Sequence, residues 1–112
     1  MNRLVKRADF LAAAKGRRAN ATPFSLQARD RNDQAGPRLG ITVTKKVGNS
    51  VERNRIRRRL REAARAVLPQ AAADGHDYVL VARRAALTAD YRDLLNGLQS
   101  TLKQVHKGRH RA

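Results

Sequence analysis

The chain has 112 residues, 41% of them hydrophobic, which fits one compact domain with a modest core. Its formal net charge of +16 predicts a polyanionic partner, and nucleic acid is the first candidate. Cysteine is absent, which excludes disulfides and thiolate metal sites and favours a reducing compartment, so we expect a cytoplasmic protein. No apolar run approaches a membrane span, and LAAA at 11–14 is too short for a signal-peptide core, so we expect no membrane partner.

The first half of the chain predicts one short helix and two strands. Residues 8–15 predict an amphipathic helix that Gly16 ends, and residues 16–22 are basic and irregular. Apolar and polar residues alternate over 24–29 and again over 39–44, the period of a strand with one buried face. Because a loop rich in Asp, Asn, Gly and Pro joins these strands, we expect them to pair as an antiparallel hairpin.

The second half predicts a long helix, a strand and a last helix. Asn49 or Ser50 can cap a helix that begins near Val51 and ends at Pro69. Residues 77–84 are nearly all apolar and predict a central strand, and Thr88 can cap a final helix with a long apolar stripe. The order predicts an α+β fold: a single RNA-binding domain over 1–107, with a disordered basic tail at 108–112.

The long helix concentrates the positive charge. Its apolar positions share one side, and at about 100° per residue Asn54, Arg58, Arg61 and Arg65 fall opposite, flanked by Arg55 and Arg57. Guanidinium groups suit phosphate because they present a planar fork of donors. Backbone N–H groups at the helix start can add to this anion site. The predicted basic ridge comprises Lys45, Lys46, Arg53, Asn54, Arg55, Arg57, Arg58, Arg61 and Arg65.

RNA is favoured over DNA as the partner. Reading a DNA groove needs a mixture of base-edge readers, whereas this helix face is almost entirely arginine with one asparagine. RNA is recognised through backbone shape and the stacking of unpaired bases. A shallow trough for a single strand is predicted between the first helix and the polar sheet face, from Phe10, Gln27, Thr42 and Thr44. A core position is the competing interpretation of Phe10.

Self-contained catalysis is not predicted. The histidines fall in a loop and in the C-terminal tail, and the carboxylates form no pair that the sequence reveals. We therefore expect no catalytic residue and no metal ligand in the chain itself.

The stretch KKVGNSVERNRIRRRLREAAR, residues 45–65, resembles the signature of the bacterial ribonuclease P protein component. The matching residues are Lys45, Lys46, Val47, Gly48, Arg53, Asn54, Arg55, Ile56, Arg58, Arg61 and Glu62. The early Phe10, the GITVTKK strand and the closing helix agree with the same family, so the resemblance covers nearly the whole chain.

The resemblance implies a fold and an activity. The fold would be a mixed, four-stranded sheet with three helices and a left-handed βαβ crossover. The activity would be that of a subunit of a ribonucleoprotein endonuclease, in which a catalytic RNA hydrolyses precursor tRNA to release the 5′ leader. Mg²⁺ would be held mainly by the RNA and the substrate, the basic ridge would contact the catalytic RNA, and the trough would take the leader.

The chain also departs from the family pattern. Ala14 and Gln27 replace frequent aromatics, Arg59 replaces an aliphatic residue and Ala64 a frequent phenylalanine. The alternatives are a ribosomal or other structural RNA-binding protein, an autonomous ribonuclease and a DNA-binding module, which all lack a matching motif.

Overall fold

The computed structural model describes residues 2–107, so the predicted tail at 108–112 lies outside the described residues. Its helices are α1 (Arg7–Ala14), α2 (Ser50–Ala71) and α3 (Tyr91–His106). Its strands are β1 (Asn2–Arg3), β2 (Arg17–Asn20), β3 (Phe24–Asp30), β4 (Arg38–Thr42) and β5 (His76–Ala82). Two short 3-10 turns, Lys45–Val47 and Arg84–Leu87, follow β4 and β5.

The strands form one mixed sheet in the order β1-β4-β5-β3-β2. β5 pairs antiparallel with β3 and parallel with β4, so the predicted hairpin between residues 24–29 and 39–44 is wrong. β5 is buried along almost its whole length, and a strand this apolar is most stable between two neighbours. The β4–α2–β5 unit is a βαβ crossover between adjacent parallel strands, and the α+β class is confirmed.

The sequence predicted three strands and the family resemblance implied four, whereas the sheet described over residues 2–107 has five, because β1 and β2 were not predicted. The sequence predicted an irregular segment where β2 lies. In the structure its residues, RRAN, bury only Ala19. β1 has two exposed residues and pairs with Arg38 and Leu39 of β4. Backbone hydrogen bonds to a neighbouring strand stabilise both β1 and β2. Such bonds do not require apolar and polar side chains to alternate, so the sequence shows no strand period there.

The two faces of the sheet carry different helices. Helices α2 and α3 pack on one face over the main core, whose large members include Phe24, Leu26, Ile56, Leu60, Leu80, Leu94 and Leu98. Helix α1 covers part of the other face through a smaller cluster of Leu4, Ala13 and Val79, with Phe10 and Val81 packed against it. The basic helix and the short first helix therefore lie on opposite faces of the sheet.

Both long helices differ from the prediction at one end. Pro69 lies inside α2, which continues to Ala71. A proline within the last turn removes one intrahelical hydrogen bond and leaves the next residues free to finish the turn. Helix α3 starts at Tyr91 after Asp90, not after Thr88, because Thr88 is the C-cap of the preceding 3-10 turn.

No described helix is long and apolar enough to cross a membrane.

Candidate RNA interface

Helix α2 is fixed at its start by its own side chains. The Asn49 side chain accepts a hydrogen bond from the Glu52 backbone N–H at 2.9 Å, and the Asn49 N–H donates to the Glu52 carboxylate at 3.0 Å. This reciprocal capping box satisfies two free N–H groups of the first turn. The predicted cap at Asn49 is confirmed.

The same cap places the Glu52 carboxylate at the N-terminus of α2, where the sequence analysis predicted that the backbone N–H groups would bind phosphate. Arg84 pairs with Glu52 at 2.8 Å, and together with the backbone N–H of Asn49 it lowers the pKa of that carboxyl group. The start of α2 is thus already occupied by an anionic side chain. Lys45 and Lys46 lie just before it, exposed on the 3-10 turn.

The polar residues of α2 point in two directions, some to the outer face and others toward a groove. Asn54, Arg55 and Arg58 are exposed, as predicted for the outer face. Arg57 and Arg61 are half-buried and, with the exposed Arg65, line a groove against the N-terminal segment. The predicted outward position is therefore wrong for Arg61, and Arg57, which was predicted to flank the outer face, lines the same groove. Residues 57, 61 and 65 follow the helical stripe beside Ala64 and Leu68 rather than the one opposite the core.

Arg53 and Arg59 are held against the protein. The Nε of Arg53 is buried and has no hydrogen-bond partner among the described residues. Arg59 donates to the carbonyl oxygens of Ala86 at 2.7 Å, Leu87 at 2.9 Å and Ala89. Arg59 is therefore a structural residue that joins α2 to the segment before α3, where the family pattern has an aliphatic contact.

Three of the predicted trough residues come together on the α1 face. Gln27, Val79 and Gly40 form one row across the sheet, and the Phe10 ring lies over Gly40. Thr42 is two residues after Gly40 on the same strand and so shares that face. These three, Phe10, Gln27 and Thr42, are half-buried, whereas Thr44 is exposed beyond the end of β4.

A buried carboxylate, which the sequence analysis missed, ties this face together. Asp77 on β5 is fully buried and bonds Arg31 at 2.5 Å and Arg38 at 2.7 Å, with Arg29 at 3.7 Å. Burial alone would raise the pKa of Asp77, but the hydrogen bonds from Arg38 and Arg31 outweigh burial and hold the pKa below its ordinary value.

The same network fixes helix α1. Asp9 on α1 lies 3.4 Å from Arg29 and 3.5 Å from Arg38, which both reach Asp77 as well. Four sequence segments, α1, β3, β4 and β5, therefore meet at one point, and the orientation of α1, which carries Phe10, depends on it. Only an acidic residue inside an otherwise apolar strand, DYVLVA, could have signalled the network.

Two histidines also differ from their predicted places. His76 is the first residue of β5 and is buried, and His106 ends α3. The Tyr78 hydroxyl lies 2.6 Å from Nε2 of His106 and accepts from the Ala73 N–H at 2.9 Å. These residues fasten α3 to the sheet. Within residues 2–107 no group of three or more histidines and carboxylates is placed to hold a metal ion.

Comparisons with known proteins agree with this geometry. A sequence model of the family described as Ribonuclease P matches residues 1–106. The ribonuclease P protein component of Ruegeria pomeroyi is 47% identical over 106 residues, covering 92% of this chain and 85% of the relative. That of Paramagnetospirillum magneticum is 50% identical over 110 residues, covering 94% and 83%.

Solved structures give the same result. The RNase P protein of Staphylococcus aureus superposes with a TM-score of 0.76 at 30% identity, covering 93% of this chain and 94% of that one. The protein from Thermotoga maritima gives 0.77 at 28% identity, covering 93% and 97%.

Fold and surface together define a small α+β protein that presents arginines on a capped helix, the class of a ribonucleoprotein subunit. The chain belongs to the ribonuclease P protein family. The resemblance drawn from residues 45–65 is confirmed.

Proposed function

We propose that this chain binds the catalytic RNA of ribonuclease P through α2 and the 5′ leader of precursor tRNA through the α1 face. As a member of its family it is a tRNA-processing subunit of a ribonucleoprotein endonuclease, and hydrolysis of the precursor leaves the mature 5′ end. The observation that carries the proposal is the match over residues 1–106 together with the exposed Asn54, Arg55 and Arg58 on α2.

The basic ridge supplies charge neutralisation. Arg55 and Arg58, with Asn54 beside them on the outer side of α2, are free to reach phosphates, and Lys45 and Lys46 extend the surface past the start of the helix. Arg57, Arg61 and Arg65 continue it along one side. Arg53 supports the ridge from beneath. Each phosphate neutralised releases condensed counterions, so affinity falls as salt rises.

The α1 face supplies the grip on the leader. Phe10 offers a partly exposed ring for stacking, and Gln27 and Thr42 offer hydrogen-bonding groups in the adjoining rows of the sheet. Ala14 is exposed one turn after Phe10, where the family often has a second aromatic. The chain therefore binds the leader with one aromatic platform, and Thr44 extends the path beyond β4.

Mg²⁺ belongs to the RNA and the substrate in this proposal. The buried carboxylate Asp77 is committed to arginines, and Asp9 bridges two of the same arginines, so neither presents an open oxygen cage. Mg²⁺ held by the RNA would supply activation of the hydrolytic water. The protein's own contribution is binding and orientation. The lack of cysteine supports a cytoplasmic location for the complex.

Reconstitution tests the function. The chain is combined with the RNA that copurifies with it from its native cells through a moderate salt wash, and precursor tRNA cleavage is followed with Mg²⁺. We expect one dominant structured RNA and cleavage at the mature 5′ end, with no cleavage by the protein alone. A spread of ribosomal RNA fragments without processing would support the ribosomal alternative instead.

The ridge has its own test. The double variant Arg58→Ala/Arg61→Ala should weaken assembly with the RNA and reduce the log–log salt dependence by about 0.7–0.9 for each lost phosphate contact. Asp93→Asn, an exposed change on α3, serves as the matched control. Unchanged affinity and slope in the double variant would argue against the ridge.

A further inference from the structure

A groove at the β4 side of the sheet combines the two surfaces that the sequence analysis treated as separate. This edge groove has a volume of about 530 Å³, within the range of about 300–1,000 Å³ typical of small-ligand sites. It runs between the N-terminal segment and the side of α2. The lining residues used below are Arg3, Leu4, Phe10, Ile41, Arg57, Arg61, Ala64 and Arg65.

The floor of the edge groove is apolar. Leu4 and Ala64 are buried, while Phe10 and Ile41 are half-buried and present part of their surface to the groove. A flat aromatic group would cover this floor and displace water from it, and a nucleobase is such a group with a polar rim.

The walls of the edge groove are cationic and uncompensated. Arg3, Arg61 and Arg65 have no ion-pair partner within residues 2–107, and Arg57 has only a 3.3 Å hydrogen bond to Asn54. None of the described residues that line the groove is acidic. Arginines left without carboxylates around an apolar floor favour a ligand that carries both a flat base and phosphate.

The unpaired edge of β4 adds backbone hydrogen-bonding groups to the groove. β1 pairs with β4 only at Arg38 and Leu39, and the Leu4 N–H bond to the Leu39 carbonyl at 2.9 Å is where that pairing ends. Backbone groups alternate along a strand, so the N–H and C=O of Ile41 point to the same side as those of Leu39. One donor and one acceptor at fixed spacing match the edge of a base.

We propose that the edge groove binds one unpaired nucleotide of the catalytic RNA, its base on the Leu4, Phe10 and Ile41 floor and its phosphates on Arg57, Arg61 and Arg65. This inference rests on the proposed function and specifies which element of the RNA α2 receives. The leader is the poorer occupant because Gln27 and Thr42 lie on the α1 face, whereas the groove opens along the arginine side of α2.

Site-directed crosslinking tests the proposal on the whole complex. The chain has no native cysteine, so Val5→Cys carries a single photoactivatable azidophenacyl group at the groove. Val5 is 79% exposed, and Val51, 73% exposed on α2 outside the groove, gives the matched control Val51→Cys. We expect Val5→Cys to crosslink one unpaired nucleotide of the catalytic RNA, with mature or precursor tRNA alike, and Val51→Cys to miss that nucleotide.

Two outcomes would overturn the proposal while processing stays normal. One is a Val5→Cys crosslink to the leader, and the other is a crosslink to the RNA no stronger or more localised than that of Val51→Cys. Loss of processing by the wild-type chain would instead reject the proposed function, and the nucleotide site with it, so the two failures are distinguishable.

Filling the floor gives a second measurement. Ala64→Leu adds apolar volume to the groove and leaves all four arginines in place. We expect RNA affinity to fall at least about fivefold, as when one base loses its stacking surface, with the salt slope unchanged. A thermal melt confirms that the variant is folded. Wild-type affinity in a folded Ala64→Leu variant contradicts a buried nucleotide.

Discussion

The ring of Phe10 lies against the backbone of Gly40, so close that a Cβ on Gly40 would come within 2.5 Å of the ring carbon Cε1. Position 40 therefore needs glycine for steric reasons, because the missing Cβ lets Phe10, the one aromatic residue of α1, pack on the sheet. This contact sets the height of the ring on the α1 face and at the edge groove, so both proposed RNA contacts depend on it.

Gly40→Ala should displace the Phe10 ring. We expect a stability loss of about 1–3 kcal/mol from overpacking and a reduced preference for precursor over mature tRNA. Urea unfolding and tRNA binding measure the two effects. Gly36→Ala is the control, because a Cβ there meets nothing within 4 Å. If Gly40→Ala keeps the wild-type preference for precursor tRNA, Phe10 does not contact the leader.

Asp77→Asn should be strongly destabilising. The change leaves Arg31 and Arg38 beside a neutral group in a fully buried position, and breaking a buried ion pair costs about 3–5 kcal/mol. Asp33→Asn, at a side chain 46% exposed and paired with Arg31 alone, should cost much less. Denaturant titration of both variants provides the comparison, and equal losses would show that burial of Asp77 is unimportant.

The low pKa of Asp77 predicts an acid limit to stability. Because its folded-state pKa lies below its ordinary value, the unfolded chain binds the proton first as pH falls. The contribution of Asp77 is therefore complete above its ordinary pKa of about 3.9 and declines below that pH until the folded-state pKa is passed. Urea midpoints between about pH 6 and pH 2 should fall less steeply for Asp77→Asn. Parallel curves would contradict this assignment.

Arg58 and Arg59 are neighbours with opposite expected effects. Arg59→Gln should lower stability by about 1–3 kcal/mol, since it leaves carbonyl oxygens of residues 86–89 unsatisfied, and should not change the salt slope of RNA binding. Arg58→Ala should spare stability and reduce that slope by about 0.7–0.9. RNA binding over a range of KCl concentrations separates them. A reduced slope for Arg59→Gln would place Arg59 on the RNA.

Asn49→Ala should fray the start of α2. Loss of an N-cap costs about 0.5–2 kcal/mol, and here it leaves the Glu52 backbone N–H without the Asn49 side-chain oxygen that accepts from it. Asn49→Ser keeps a capping oxygen and should retain most of the stability. Hydrogen exchange at residues 50–53 measures the fraying directly. Equal protection in both variants would mean that the Glu52–Arg84 pair suffices.

Much of this architecture follows from local pattern. The helical period, the capping residues and the apolar stripe predicted α2, and alternation or apolar content predicted β3, β4 and β5. These signals reside in neighbouring residues, so a single sequence carries them. The exposed basic side chains Arg55, Arg58 and Arg65 were predicted for the same reason, since one helix supplies them.

Relations between distant segments were not predicted. The position of β5 between β3 and β4 depends on pairing across a 22-residue helix, and no local period encodes that choice. The Asp77 network gathers side chains from α1, β3, β4 and β5, and the edge groove combines the N-terminal segment, β4 and α2. The half-buried positions of Arg57 and Arg61 were not predicted, because a helical wheel gives the angle of each side chain but not which segment of the protein packs beside it.

The Asp77 network also makes the distribution of charged groups over the molecule uneven. The carboxylates Asp9, Asp30, Asp33, Asp74 and Asp77 lie where β5 begins, while Lys45, Lys46 and the start of α2 follow the other end of β4. Because Arg29, Arg31 and Arg38 neutralise Asp9, Asp33 and Asp77, the end where β5 begins carries little net charge, whereas the other end is strongly positive. We expect this asymmetry to orient α2 toward an RNA before contact, and so to raise the rate of productive encounters and make that rate fall with ionic strength.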